Sequence, residues 1–450
     1  MAWKMKDKFN INELCYSTLS SDNPNSYETY VSQGGYETWK KILRELPDKK
    51  EIINSVIESG LRGRGGAGFS TGRKWSFINQ DSDAIKYLVC NADESEPGTC
   101  KDRDILRYNP HALIEGMLIA SYAIGAETAY CYLRGEFIDD VYTSFKNALK
   151  DAYQNKLLGK NIFNTDICIE LHDLIGAGAY IVGEETAMLE SIEGKKGFPR
   201  YKPPFPAVKG LFGSPTIINN VETLASIPKI IGKGPDWFSS FGTKDSAGFK
   251  CFSVSGHVNN PGNFEIPLGT PFKTLLELAG GMKDGKKLKA VIPGGSSVPV
   301  VPGEVMLETD MDYESIAKSG SLLGSGAVII MDEDTNMVEV IHRIARFYYS
   351  ESCGQCTPCR EGTGWMFKVI DKILKGKGTL DDLKTLESIP KMISGSTICA
   401  LGDAAAMPVE SFITHYKNEF LEYIKLPTEK LPDDKDFAEP INNEFILSRK

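Results

Sequence analysis

GLRGRGGAGFSTGRKW, residues 60–75, is the stretch on which the reading of this fold turns. Gly63, Gly65, Gly66 and Gly68 permit positive φ and close approach of the backbone to a ligand. Read as GxGxxG, the string is a weak signal, and its context differs from the ordinary dinucleotide fingerprint. Ile52, Ile53, Val56 and Ile57 precede it at helical spacing, where that fingerprint requires a strand. Arg62, Arg64, Arg73 and Lys74 surround the loop. Cations beside backbone N–H groups suit phosphate, a feature that a mere tight turn would not need.

Outward from the loop, a buried strand is expected at 87–90, then an acidic loop, NADESEPG, at 91–98. Residues 111–126 read as a buried helix, too short to cross a membrane and interrupted by Glu115. A second strand follows at 129–133. GAGAYIVGEE, residues 176–185, is another glycine-bearing turn and opens a helix over 186–192. Residues 194–215, rich in Gly, Pro and Lys, are expected to be irregular, and PTIINNVET, residues 215–223, leads into a further helix. Residues 1–48 are polar and mixed. The alternation of strand and helix predicts an α/β layer sandwich over 1–245.

From residue 246 the texture changes. Strand-like runs at 252–254, 289–292 and 327–330 bracket one helix at 271–279, a small β-rich domain over 246–332. Beyond it, Met337, Val340, Ile341, Ile344, Phe347 and Tyr348 form one apolar stripe. Trp365, Val369, Ile370 and Ile373 form a second, and Leu383 and Leu386 continue a third. A helical bundle over 333–425 follows, with a polar, proline-bearing surface tail over 426–450.

The 450 residues are 41% hydrophobic and 25% charged, as in an ordinary globular protein of about two to four domains. A net charge of −9 with no basic block argues against nucleic acid as a partner. The opening MAWKMKDKFN has neither the apolar core of a signal peptide nor the acid-free composition of a transit peptide. The expectation is a cytoplasmic protein, or a processed organellar one.

Six of the ten cysteines (Cys15, Cys90, Cys100, Cys131, Cys168 and Cys251) are scattered and expected to be buried thiols. The other four are clustered. ESCGQCTPCREG, residues 351–362, sets Cys353, Cys356 and Cys359 at steps of three, and Cys399 lies in TICALGDAAAMP. Three thiolates in one loop with a remote fourth fit a [4Fe–4S] cube better than the paired knuckles of structural zinc or unrelated thiols. A helix beginning over 360–368, and Arg360 itself, would favour the anionic cluster.

Asp93, Glu94 and Glu96 are either a solvated turn or acceptors for ribose or ribityl hydroxyls and ring N–H groups. Glu184 and Glu185 pose the same choice. They are stabilised by a helix dipole alone, or they stand near a ribose 2′-hydroxyl and repel a 2′-phosphate, which selects NAD over NADP. The five histidines form no ligand pattern, and no hydrolase triad stands out.

Taken in order, GLRGRGGAGFSTGRKW, CNADESEPGT, GAGAYIVGEETAML, PPFPAVKGLFGSPTIINNVET and ESCGQCTPCREGTGWM resemble the family of NADH- and FMN-binding flavoprotein subunits of respiratory complex I. The likeness runs from about residue 30 to about residue 425. It implies a Rossmann-like FMN/NADH domain, a ubiquitin-like β-grasp domain of the soluble-ligand-binding type, and a helical bundle in which Cys353, Cys356, Cys359 and Cys399 hold one [4Fe–4S] cluster. It implies FMN against Arg62, Gly63, Arg64, Gly65, Lys74, Asn91, Asp93, Tyr180, Gly183, Glu184, Asn219, Asn220 and Thr223, with Glu94 and Glu185 as further cofactor candidates. The nicotinamide of NADH would lie near Gly66, Ala67 and Glu96, and its adenine between Phe69, Phe77 and Phe205.

The implied activity is hydride transfer from NADH to FMN, with single electrons passed to the cluster and no protein general base. The chain would be the electron-input subunit of NADH:quinone oxidoreductase. Implied partners are a thioredoxin-like [2Fe–2S] subunit and the large iron–sulfur subunit. The implied place is peripheral, on the cytoplasmic face of the bacterial inner membrane or the matrix side if organellar. Residues 132–137 read YLRGEF where the family often shows YIRGEY, a conservative departure. The nearest alternative is the diaphorase subunit of a soluble NAD-linked hydrogenase or formate dehydrogenase; those relatives commonly carry extra iron–sulfur modules, for which this chain has no spare clustered cysteines. A rival of another class is a zinc-stabilised scaffold without catalysis.

Overall fold

Leu88, Cys90 and Ala92 of strand β1 (Tyr87–Ala92) face one core and Val89 faces another, so the strand needs a layer over each face. Strands β2 (Thr128–Leu133) and β4 (Thr216–Asn220) flank it in parallel, and β3 (Glu170–Ile175) pairs with β2, giving the order β3-β2-β1-β4. β2 lies on one side of β1 and β4 on the other, so a topological switch point opens at the carboxyl ends of β1 and β4. The computed structural model describes residues 11–425; the opening decapeptide and the tail over 426–450, on which two expectations fall, lie outside them.

Helix Pro110–Ile124 covers one face of the sheet and is itself covered by helix Val221–Lys233. A Cβ on Gly116 would lie 1.9 Å from the Leu224 carbonyl oxygen, so the two helices can meet this closely only at glycine. Glu115, the one interruption of the apolar run, accepts from Tyr30 Oη (2.6 Å), Tyr36 N (2.8 Å) and Trp39 N (3.1 Å). It fastens helices Tyr27–Ser32 and Glu37–Glu45, which composition alone left as a polar segment. Strand β3 was not expected either. Only Leu171 is buried along it, as suits an edge strand held by pairing on one side.

Strands β5 (Phe249–Gly256), β6 (Gly262–Pro267), β8 (Leu288–Ile292), β9 (Val301–Pro302) and β11 (Ala327–Asp332) form a mixed sheet of order β6-β5-β11-β8-β9. β5 and β11 run parallel, and the other pairs are antiparallel. Helix Phe272–Leu278 packs on it, and β7 (Thr270–Pro271) with β10 (Asp310–Met311) make a separate ribbon. This is the β-grasp arrangement, and the three expected runs fall within β5, β8 and β11.

Helices Met337–Glu351, Thr357–Leu374, Leu380–Ile393 and Leu401–Lys425 form the bundle. Its core is continuous with the second face of the parallel sheet: Ile341, Ile370 and Phe412 belong to one cluster with Val89, Ile218 and Met188. Some expectations fail in detail. Ile57 and Trp365 are exposed, Cys100 and Cys168 are only half-buried, and residues 194–215 contain two short helical turns, Pro206–Lys209 and Leu211–Gly213. No helix among the described residues is long and apolar enough to cross a membrane.

Candidate functional site

Helix Lys49–Glu58 ends at Gly60 in the left-handed region, and the glycine loop begins. The loop closes on itself: Gly63 N donates to Phe69 O (2.8 Å) and Thr71 N to Leu61 O (2.9 Å). Arg64 N donates to Thr223 Oγ1 (2.9 Å). Arg64 itself is buried, donates to Ala247 O, and leaves Nε and Nη1 without a partner. Helix Thr71–Trp75 follows, and Trp75 Nε1 donates to Asn219 Oδ1 (2.8 Å). Gly63, Arg64, Asn219 and Thr223 therefore brace the loop from behind.

A cavity of about 730 Å³ opens between this loop, the carboxyl ends of β1 and β4, the β-grasp domain and the start of helix Leu401–Lys425. Its size is that of a small-molecule site. Of the expected residues, Arg62, Gly65, Gly66, Ala67, Asn91, Asp93, Glu94, Glu96, Tyr180, Gly183, Glu184, Asn220 and Cys399 reach its walls. Asp93 Oδ1 is buried there with no hydrogen-bond partner, while Ser95 Oγ donates to Oδ2 (3.3 Å). Burial pushes the Asp93 carboxyl up to about 7 despite Ser95 and Arg134. An unpartnered buried acceptor facing a cavity lacks a donor that a ligand hydroxyl could supply. A Cβ on Gly183 would crowd Asp93 Oδ2 at 3.2 Å and one on Gly65 would crowd Asn220 Cβ at 3.1 Å, so glycine at both keeps the cradle open. These features fit a flavin with a polyhydroxyl side chain.

The other carboxylates divide. Glu96 joins three segments, accepting from Tyr180 Oη (2.8 Å), Ser297 N (2.8 Å) and Ser296 Oγ (3.2 Å). Glu94 accepts from Asp102 N (2.8 Å) and Arg103 N (2.9 Å), so it caps helix Lys101–Tyr108 and its oxygens are already engaged. Glu184 Oε2 caps its own helix at Thr186 N (2.8 Å) and Ala187 N (3.0 Å). Glu185 pairs with Lys74 (3.0 Å) and Lys202 (2.8 Å); against the cost of burial these lysines hold its carboxyl down to about 2. Lys202 also bonds Glu184 Oε1 (2.9 Å). Phe69, Phe77 and Phe205 are exposed, with the first two rings 6.0 Å apart.

Sequence reading missed the floor of the cavity. Lys101 Nζ, 1% exposed, meets Asp102 Oδ1 (2.7 Å), Glu222 Oε2 (3.0 Å) and Asn220 Oδ1 (3.1 Å). Asn220 Nδ2 donates to Asp102 Oδ2 (2.6 Å), and Lys250 Nζ reaches Glu222 Oε2 (3.5 Å) and Ser325 O (2.8 Å). These groups come from four separate segments, and no local pattern could have announced them. The roof, with Ser297, Val298, Tyr313 and Ser325 of the β-grasp domain, was missed for the same reason.

Helix Thr357–Leu374 starts three residues earlier than the expected 360, with Cys353 before it, Cys356 at its N-cap and Cys359 in its first turn. Cys399 lies two residues before helix Leu401–Lys425. All four sulfurs adjoin one apolar core, and two helix N-termini arrive beside them, a setting that favours an anionic group. Burial pushes the Cys359 thiol up to about 11 and the Cys399 thiol up to about 12, with the neighbouring cysteines adding to both. Arg360 instead donates to Gly354 O (3.0 Å) and so stiffens the cysteine loop.

A tetrahedral zinc ion with Zn–S of about 2.3 Å holds its sulfurs about 3.8 Å apart. Among the described residues, no three of these four sulfurs lie within 4.8 Å of one another. Among the described residues, Cys15, Cys251 and Glu265 do come that close, and Glu265 is already bonded by the amides of Leu14, Cys15 and Tyr16.

Comparison with known proteins agrees. The family model described as the Nuo51 FMN-binding domain matches residues 56–229. That of the NADH-ubiquinone oxidoreductase-F iron-sulfur binding region matches 339–423, and the SLBB domain matches 251–301. The chain is 51% identical over 406 residues to the NADH-quinone oxidoreductase F subunit of Rickettsia bellii (strain OSU 85-389), covering 90% of this chain and 97% of that protein. It is 51% identical over 424 residues to the NADH-quinone oxidoreductase F subunit of Rickettsia typhi (strain ATCC VR-144 / Wilmington), covering 94% and 98%. Among solved structures, a chain of an NAD+-reducing [NiFe]-hydrogenase in the air-oxidized state superposes with a TM-score of 0.75 at 36% identity, covering 84% of this chain and 64% of that one.

Proposed function

The chain belongs to the family of NADH-quinone oxidoreductase F subunits, and from that premise we propose that the cavity binds FMN and receives NADH, and that Cys353, Cys356, Cys359 and Cys399 hold the [4Fe–4S] cluster that takes the electrons away. One observation carries this reading: Gly65, Asn91, Asp93 and Cys399 line one cavity, which would bring the hydride site and the electron exit together. When bound, FMN accepts a hydride and a [4Fe–4S] cluster takes electrons singly.

The residues orient and shield. Gly66 and Ala67 present backbone to the cavity, Asp93 Oδ1 awaits a hydroxyl donor, and Glu96 ties Tyr180 to the β-grasp roof. No general base is needed. The purified complex should contain FMN and iron and reduce ferricyanide with NADH. Flavin-loaded protein without that activity, or zinc without flavin, would overturn the reading.

FMN binding should also depend on pH. A hydroxyl donated to Asp93 favours its charged form, so binding lowers a pKa that burial has pushed up to about 7 and releases a proton. Affinity should therefore rise from pH 6 to pH 8 and level off above. A flat profile in titrations of flavin fluorescence would remove this role.

Glu185→Gln should raise the NADPH-to-NADH ratio of kcat/KM. At about 4 Å a second anion costs roughly 4 kcal/mol at an effective dielectric of about 20. Glu185 is partly solvated, and discounting for that leaves about 10- to 100-fold. Lys74 and Lys202, released from the carboxylate, would then attract the 2′-phosphate. An unchanged ratio would make Glu185 a partner of those lysines only.

The chain is one subunit of a larger oxidoreductase. We place a thioredoxin-like [2Fe–2S] subunit and the large iron–sulfur subunit beside it, peripheral on the cytoplasmic face of the membrane. The fold shared with the hydrogenase chain keeps the soluble diaphorase as the alternative. Coverage of 97% of the Rickettsia bellii relative, against 64% of the hydrogenase chain, favours the respiratory assembly.

A further inference from the structure

The glycine loop is held on two flanks, and the second flank belongs to another domain. On the first, Thr223 accepts from Arg64 N (2.9 Å) and Asn220 packs against Gly65. On the second, Tyr313 of helix Tyr313–Lys318 donates its hydroxyl to Gly63 O (3.1 Å). The Tyr313 ring lies against the Arg62 guanidinium, 3.8 Å from Cζ to the ring centroid. Arg62 Nη1 donates to Glu314 Oε1 (2.6 Å) and Arg62 Nε to Gly68 O (2.8 Å). Glu314 Oε2 in turn accepts from Ser246 Oγ (2.5 Å). A Cβ on Gly68 would meet the Tyr313 ring at 2.6 Å, and φ there is +66°, so glycine is required twice over. Arg62, Tyr313 and Glu314 all line the cavity beside Gly65–Ala67.

We propose that Tyr313 and Glu314 are positioning residues: the β-grasp domain sets, through Gly63 and Arg62, where Gly65, Gly66 and Ala67 present their backbone to flavin and dinucleotide. This rests on the FMN and NADH reading given above. A loop with four glycines has more freedom to lose on binding than any other of its length, and fastening both flanks beforehand removes that loss from the binding step. Glu314 pairs the charge of Arg62, so the contribution is geometric rather than a net attraction for phosphate. The stacked arginine, bonded to Glu314 through Nη1 and to Gly68 O through Nε, suits this use, because its planar fork is fixed by face and edge together.

The test uses the assembled complex with Tyr313→Phe, Tyr313→Ala and Glu314→Gln. The readouts are the FMN dissociation constant from released flavin fluorescence, KM and kcat for NADH, and the melting temperature. Tyr313→Phe keeps the stack and loses one hydrogen bond, so FMN dissociation constant and KM should rise about 2- to 10-fold. Tyr313→Ala should raise both by at least about tenfold, and Glu314→Gln should fall between, each with kcat changed less than KM. Ligand constants equal to wild type in assembled Tyr313→Ala, or losses confined to melting temperature, would overturn the proposal. Should Tyr313→Ala not assemble, Tyr313→Phe and Glu314→Gln decide by the same criteria. Wild-type complex that holds no flavin would instead sink the functional reading, whereas active wild type with indifferent variants sinks only this one.

Discussion

Replacing Cys399 by alanine is expected to abolish the EPR signal of the reduced cluster and to cut NADH–quinone electron transfer by on the order of 100-fold or more. Loss of outer-shell partners alone typically costs about 10- to 100-fold at a metal site, and here a ligand is removed. In the proposed cluster site Cys399 would be the one ligand from outside the 353–359 loop, two residues before helix Leu401–Lys425. Thr397 Oγ1 donates to its carbonyl (2.8 Å), so the position is fixed before any cluster forms. Burial pushes the thiol up to about 12, with Glu184, Cys353 and Cys359 adding to the shift. The same residue is on the cavity wall, which makes the variant a test of the shared-cavity geometry. NADH–ferricyanide activity, which can draw directly on the flavin, should fall much less than quinone reduction. A retained EPR signal would show that another group closes the cluster, and equal loss of both activities would show that Cys399 shapes the flavin site rather than the exit.

Sequence read well where residue type is itself the chemistry. Four clustered cysteines and a run of glycines admit few uses, and Cys399 lines the same cavity as Gly65, Gly66 and Ala67 of the glycine loop. The parallel core strands were legible from short apolar runs. The carboxylates were harder, because an acidic loop does not say which oxygens the fold will consume. Glu94 went to the N-terminus of helix Lys101–Tyr108 and Glu184 to its own helix, whereas Asp93 kept an oxygen unpartnered. Strand β3, buried at Leu171 alone and held by pairing with β2, left little periodicity to find, whereas Trp39, Ile42 and Leu43 do recur at helical spacing and the short helix Glu37–Glu45 was simply passed over. The buried ions Lys101, Asp102, Glu222 and Lys250 are the extreme case: each looks like an ordinary surface charge in sequence.

Glu222→Gln should destabilise the protein by about 3–5 kcal/mol, the cost of removing one partner from a buried ion pair. Glu222 is 1% exposed and faces Lys101 at 3.0 Å and Lys250 at 3.5 Å, and its Oε1 accepts from Cys251 N (2.8 Å). Burial alone would raise its pKa, but Lys250, Lys101 and Arg64 overcome that and hold it below the usual carboxylate range. Burial lowers both lysines; Lys101, with Asp102 and Glu222 both at close range, still rises above the usual lysine range, whereas for Lys250 the one, more distant carboxylate does not offset burial and it falls below. Because the folded pKa of Glu222 is depressed, its contribution is complete above the unfolded value of about 4.3 and disappears as pH falls through the folded one. The gap between wild type and Glu222→Gln, measured by chemical denaturation, should therefore be constant near neutrality and close on acidification below about pH 4. Combining Glu222→Gln with Lys250→Met should recover part of the loss, because the second change removes a cation left without its carboxylate. Additive losses in that cycle would mean that Lys101 and Asp102 alone carry the network. Asn220, held by Lys101 and Asp102, lines the cavity, so the destabilised floor should also release FMN more readily. A Gln variant of full stability and full flavin content would show that this charge is dispensable and that the floor is set by packing.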